Sequence, residues 1–235
     1  KSPEDQIFSE GDITDNFYKG NAKYDESRNS WYIKLDDGRI EYVNIYIGVD
    51  PASTLSTRND YSVIMVIGVT ADYDYYIIEY WRQRVLPMDC ADEIFKISER
   101  YSPIKRINIE TISYQEMLRD YIHKRSKKEG KFLPGIEKGI KGYGNQKKKD
   151  RLFEGLQPMF KAGAVHLKKD MHEFIGELLD FPKGTHDDTI DAFWLSTQYA
   201  KGSKTASKIK KVKNNKEEWE TPKKTYNRIT DSRGW

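Results

Sequence analysis

The sequence predicts an α/β domain with a mixed central sheet, a three-stranded antiparallel meander plus parallel strands, flanked by helices. Three observations carry this. The runs "NIYIGVD", "YSVIMVIGV" and "YDYYIIEYWRQ" follow one another closely, are rich in β-branched and aromatic residues, and are too short for helices. Beyond them, stretches with apolar residues at helical spacing alternate with short apolar runs, the pattern of strands joined by helices. The chain's 235 residues are enough to bury a real core, and no run approaches the ~18 apolar residues that a membrane helix needs. Nothing at the start resembles a signal peptide.

Taken in order, residues 1–44 are polar and turn-rich and read as a linker carrying an appended hairpin. There "DDG" separates the two alternating runs of "SWYIKLDDGRIEYV". The compact domain, 45–200, opens with "NIYIGVD", a strand ending in an aspartate. A loop rich in Ser and Thr leads to "YSVIMVIGV", and the turn "TAD" leads to "YDYYIIEYWRQ". The first helix, "PMDCADEIFKISERY", has proline at its start, where the missing N–H costs nothing, and an apolar stripe of Ala91, Ile94, Phe95 and Ile97. Strand "KRINIE", helix "SYQEMLRDYIHKR", short strand "IEKGIK", and helix "KKKDRLFEGLQPMFKAG", which Pro158 is expected to bend, come next. Strand "AVHL" precedes the amphipathic helices "MHEFIGELLDF" and "HDDTIDAFWLSTQYA". From Lys201 to Trp235 apolar residues are sparse, so a basic, disordered tail is expected. No internal repeat is visible.

The net charge of +3 hides a segregation. Residues 119–151 carry twelve Lys and Arg against four Asp and Glu, and residues 201–235 carry eleven against four, leaving the remainder acidic. Basic segments beside an acidic centre suit a protein that holds a polyanion and binds metal where chemistry occurs, although solvated surface and a tail would look the same. The single cysteine, Cys90, excludes a disulfide framework and a Cys-rich zinc site, fits a reducing compartment, and reads as a packing residue.

Asp50 ends the first core strand, Glu110 ends "KRINIE", and Asp187, Asp188 and Asp191 crowd the head of the last helix. Carboxylates so placed repel unless a cation or proton lies between them. Residues at one end of neighbouring strands share a crevice, and helix positions three apart share a face, so Asp188 and Asp191 can join Asp50 and Glu110. Asp187 pairs with Asp191 at a spacing of four, so spacing does not choose between them. Hard carboxylate oxygens select Mg²⁺ or Mn²⁺ over zinc. Each acid also has a plainer use: Asp50 as a turn former before Pro51, Glu110 as a strand end, Asp187 or Asp188 as a helix cap. His186 reads as a cap-region residue that steadies the loop.

Four segments in order carry a resemblance: "YIGVDPA" with "NDYSVIMV", "INIETISYQEML", "KKKDRLFEGLQPMFKAGAVHL" and "HDDTIDAF". From about Ile45 to Ala200 the chain resembles the nuclease domain of the large terminase subunit of tailed bacteriophages, the motor that packages and cuts concatemeric viral DNA. Lys148, Arg151 and Gly163 match that family's pattern of Lys, two residues, Arg, a helix, then Gly and a strand. The resemblance implies an RNase H-like fold and catalytic acids at Asp50, Glu110 and Asp188. Asp191 corresponds to a further acid of many members, and Asp60 to an accessory one. It implies two Mg²⁺ or Mn²⁺ ions about 4 Å apart, bridged by Asp50, with Glu110 completing one shell and Asp188 and Asp191 the other, and products with 5′-phosphate and 3′-hydroxyl ends. It also implies action in the cytoplasm of an infected bacterium, with double-stranded DNA, the phage portal, the small terminase subunit and an ATPase domain as partners.

The basic segments "HKRSKKEGK" and "GYGNQKKKDR" are the expected DNA-binding elements, through Lys124, Arg125, Lys127, Lys128, Lys147, Lys148 and Arg151. No Walker A pattern occurs, so the motor half is expected upstream of Lys1. Two alternatives stand beside this: another RNase H-like nuclease, such as a junction resolvase or transposase core, and a non-catalytic DNA-binding or assembly module in which the acids only cap structure.

Overall fold

A computed structural model describes residues 6–52, 61–111, 114–141, 148–205, 209–211 and 218–220. The elements are α1 (Glu10–Thr14), β1 (Gly20–Asp25), β2 (Ser30–Leu35), β3 (Ile40–Asp50), β4 (Ser62–Val69), β5 (Tyr75–Gln83), α2 (Pro87–Arg100), β6 (Arg106–Thr111), α3 (Tyr114–Glu129) and β7 (Ile140–Lys141). They continue as α4 (Lys148–Lys161), β8 (Val165–His166), α5 (His172–Asp180), α6 (Asp188–Thr197), β9 (Ile209–Lys211) and β10 (Glu218–Glu220). The expected meander is β3–β4–β5, all antiparallel; β6 lies parallel to β3, β7 parallel to β6, and β8 parallel to β5.

The sheet is covered on both faces, which explains why β4 reads as one apolar run instead of an alternation. Val63, Met65, Ile67 and Val69 face a core shared with α4, α5 and α6, while Ile64 and Val66 face a second core with Ile47, Val49, Ile107 and Ile109. The predicted stripe of α2 (Ala91, Ile94, Phe95, Ile97) enters that second core, with Leu118 and Ile122 of α3 beside it. Pro87 begins α2 as expected.

The N-terminal region differs from its reading as a linker with an appended hairpin. The hairpin forms, but its return strand runs without interruption through residue 44 into the core strand, so β2 pairs with the first part of β3 and β4 with the rest. Ahead of it, Ser9 caps the single turn of α1 by accepting the Asp12 N–H at 3.1 Å. This turn delivers Phe8 and Ile13 into the core, where the Phe8 ring meets Phe160 edge-on at 4.9 Å. A polar average over the first 44 residues conceals those few buried anchors.

Cys90 is fully buried in the second core. Its thiol is pushed up to about 12, chiefly by loss of water, with the charges of Asp50 and Glu93 acting in the same direction and a hydrogen bond with Ser62 opposing them. A thiol so held keeps its proton in the folded state. Its contribution to stability is complete below the ordinary cysteine range and is lost as pH rises toward 12. Thiol-specific labelling at pH 8 should therefore be negligible in native protein and complete in denaturant. Rapid labelling of native protein would contradict this packing.

The described start of the tail, Lys201 to Thr205, lies against the sheet. The Asn44 side chain donates to the carbonyls of Lys201 and Gly202 at 2.9 and 3.0 Å, and the Lys201 N–H donates to the Tyr46 hydroxyl at 2.8 Å. Farther on, β9 and β10 pair antiparallel. Among the described residues no helix is long and apolar enough to cross a membrane.

Candidate metal centre at the sheet edge

The position of α6 follows from one glycine. A Cβ on Gly48 would fall 2.0 Å from the Ala192 carbonyl oxygen and 2.4 Å from the Ser196 nitrogen, so only a residue without a side chain lets the helix backbone rest on β3. Toward the start of β3, Tyr46 meets Lys201, beyond the helix end. At the level of Gly48 on β6, the buried Asn108 donates to the carbonyls of Leu195 and Gln198, both at 2.8 Å, satisfying groups a helix terminus leaves open. The helix therefore runs antiparallel to β3, and its first turn lies over the strand's far end. Going four residues back from Ala192 to Asp188 is about 6 Å. Going two residues forward from Gly48 to Asp50 is about 6.6 Å. Asp188 is thus carried above Asp50.

Asp50 and Glu110 are neighbours across the parallel pair. The register runs Gly48 to Asn108 and Val49 to Ile109, so the next residues are Asp50 and Glu110, on strands about 4.8 Å apart. Alternation puts both on the α6 side with Gly48 and Asn108. Asp188 and Asp191 occupy the first turn of α6, where the helix dipole favours negative charge, and Asp191 is buried. Asp187 holds the N-cap position but makes no side-chain capping bond. That task falls to Glu177 of α5, whose carboxylate accepts the Thr189 N–H at 2.8 Å and also the Thr189 hydroxyl. His186 Nδ1 lies 3.7 Å from Asp188 Oδ2, and the His186 ring stands edge-on to Tyr61 at 5.4 Å.

The backbone thus brings Asp50, Glu110, Asp188 and Asp191 to one end of the sheet. As the side chains stand, no group of three or more His, Cys, Asp or Glu among the described residues is gathered closely enough to enclose an ion. The donor set still fits hard divalent cations: four carboxylates and no thiolate, with a shell that water and phosphate oxygens would complete. Asp60 and Lys147 lie outside the described residues. Lys148 and Arg151 sit in the first turn of α4; that helix ends beside β8, which pairs with the far end of β5, so its start points to the acidic edge. Lys124, Arg125, Lys127 and Lys128 are not brought there. Helix α3 leaves the end of β6 and folds back across the opposite face, so its last turn lies about 20 Å along the axis from its first. Arg125 is moreover engaged by Asp92 and by Glu129, and lies over the Phe95 ring at 4.3 Å. The charge run was legible in sequence, but not the face it occupies.

Two arginines near that end of the sheet lie outside the basic segments that the sequence singles out. Arg82 of β5 pairs across the sheet with Val63, which pairs with Asp50, and its guanidinium covers the Tyr61 ring at 3.3 Å from the centroid. The exposed Arg84 approaches the same ring at 4.3 Å. They fall outside the Lys-rich runs, so charge density did not point to them. Their place at the end of β5, on the sheet row that leads through Val63 to Asp50, was the available signal.

A mixed sheet with acids ending two neighbouring parallel strands and heading the helix that crosses them defines an RNase H-like domain. The family model described as Terminase RNaseH-like domain matches residues 47–198, and the chain belongs to that family. Among solved structures, the large terminase nuclease from thermophilic phage G20c with bound zinc aligns at a TM-score of 0.52 and 18% identity, covering 82% of this chain and 97% of that one. The same nuclease with bound magnesium aligns at 0.52 and 17%, covering 82% and 96%. The Thermus phage P74-26 large terminase nuclease domain aligns at 0.50 and 18%, covering 81% and 93%. At these identities the likeness is one of fold. No curated protein matches the sequence.

Proposed function

We infer that this domain is a divalent-metal-dependent endonuclease that cuts concatemeric double-stranded DNA during phage genome packaging. The observation that supports it most is the convergence of Asp50, Glu110 and the first turn of α6 at one sheet edge, in a chain of the terminase family. Family membership favours this over a junction resolvase or transposase core, and four carboxylates at one edge are more than capping requires.

Asp50, on the strand between β4 and β6, Glu110 at the end of β6, and Asp188 with Asp191 at the head of α6 would hold the divalent ions. When bound, Mg²⁺ or Mn²⁺ supplies Lewis-acid activation of water and neutralises charge at the scissile phosphate. The chain's own groups would bind those ions and hold DNA: Lys148 and Arg151 of α4, with the exposed Arg84, would neutralise backbone phosphates, giving sequence-tolerant, salt-sensitive affinity. Partners on this assignment are double-stranded DNA, the portal, the small terminase subunit and an ATPase domain, and the site of action is the infected bacterial cytoplasm.

The test is incubation of supercoiled plasmid with the protein and Mg²⁺, Mn²⁺ or chelator, alongside Asp188→Ala. Nicking and linearisation are expected with either metal, and neither in chelator nor with the variant. Cleavage persisting in chelator would overturn the two-ion assignment, and preference for branched over linear duplex would favour a junction resolvase.

A further inference from the structure

Glu177 is a charged residue where the helical pattern calls for an apolar one. In α5 the buried positions Phe174 and Leu178, with buried Phe181 at the C-cap, mark the apolar stripe, and Glu177 stands at i+3 from Phe174, itself buried. One oxygen of its carboxylate receives the Thr189 N–H and hydroxyl, while the other receives Arg82 Nη2 at 3.2 Å. Both side chains of the ion pair are mostly shielded, 14% exposed for Arg82 and 7% for Glu177. Arg82 is in turn pinned over Tyr61 and lies on the sheet row of Val63 and Asp50.

A buried ion pair is a poor source of stability, because well-packed apolar residues of similar volume often do as well. What the pair provides here is geometry. Thr189 directly follows Asp188, so the path Asp50, Val63, Arg82, Glu177, Thr189 ties the first turn of α6 to the same row of the sheet that carries Asp50. The Glu177 charge would otherwise add to the repulsion among the nearby acids, and Arg82 offsets it.

We propose that Arg82 and Glu177 are positioning residues that fix the backbone carrying Asp188 and Asp191 relative to Asp50, so that divalent cations need only draw the side chains together. This rests on the metal-dependent function proposed above. Partners that orient ligating carboxylates typically govern metal affinity 10–100-fold when removed.

The test measures Mn²⁺ affinity by isothermal titration, folding by circular dichroism, and plasmid nicking against Mn²⁺ concentration, for the wild type, Glu177→Gln and Thr189→Val. Mn²⁺ affinity is expected to fall about 10–100-fold in Glu177→Gln. A smaller fall in the same direction is expected in Thr189→Val, and the loss of nicking should lie mainly in the Mn²⁺ half-saturation point and much less in the rate at saturating Mn²⁺. A folded Glu177→Gln that binds Mn²⁺ within twofold of the wild type overturns the positioning role. Should that variant not fold, Thr189→Val decides by the same criterion. A wild type that binds no Mn²⁺ instead overturns the proposed function itself, and the positioning role falls with it.

Discussion

Asp50→Asn should yield a folded protein that no longer cuts DNA. The amide keeps the size of the side chain and removes the charge that would be shared between ions. Losing ~4 kcal/mol of metal-dependent stabilisation corresponds to a rate lowered about 10³-fold. The thermal behaviour should move in the opposite direction. Without metal, Asp50 stands beside Glu110 and beneath Asp188, and like charges held together oppose folding. Removing one should leave Tm unchanged or higher in chelator. Adding Mn²⁺ should raise the Tm of the wild type by mass action and leave that of the variant unmoved. Calorimetry with and without Mn²⁺, beside a plasmid assay, separates the two effects. A variant that nicks at the wild-type rate, or that gains the same Mn²⁺ stabilisation, would remove Asp50 from the centre.

The second large effect is expected at Gly48, which touches no metal and bears no side chain. In Gly48→Ala the new methyl would meet backbone atoms at 2.0 and 2.4 Å, and helix backbone cannot swing aside as a side-chain tip can. The helix must lift, which breaks the Asn108 bonds to Leu195 and Gln198 and opens a core built on Phe193 and Trp194. The cost should be about 3 kcal/mol or more. For a domain of this size that is a fall in Tm of roughly 6–12 °C. Any folded remainder should also lose Mn²⁺ affinity, because α6 carries two of the four acids. Denaturant unfolding checks the first consequence, and titration of the folded fraction the second. A Gly48→Ala protein of native stability would mean that α6 does not rest on β3 in this way.

These effects show which parts of the molecule the sequence could disclose. Strands β3 to β6 and helices α2, α5 and α6 were legible because each is specified locally, by alternation, by continuous apolar runs between turns, or by an apolar stripe at helical spacing. Asp50 and Glu110 were legible as acids ending strands. Their adjacency depends on β6 pairing parallel to β3, a long-range choice that no local pattern encodes. Proximity points to Asp187 or Asp188 as the cap on α6, yet Glu177 supplies it, twelve residues from the Thr189 N–H that it accepts. The clue was a glutamate within the stripe of Phe174, Leu178 and Phe181. Likewise Asn108 reads as an ordinary polar residue between Ile107 and Ile109, although it closes the far end of α6. The basic run of α3 was visible as charge, but which face it would occupy depends on how the helix returns across the sheet. Gly48 offered only a glycine inside a strand, a sign of close backbone approach that does not name its neighbour.

The most direct test of the shared metal centre is a crystal of the domain soaked in Mn²⁺, with an anomalous difference map recorded near the manganese edge. Strong peaks are expected within about 2.5 Å of carboxylate oxygens of Asp50 and of at least one of Glu110 and Asp188. Manganese bound elsewhere on the surface, with those three carboxylates meeting only solvent, would contradict the assignment.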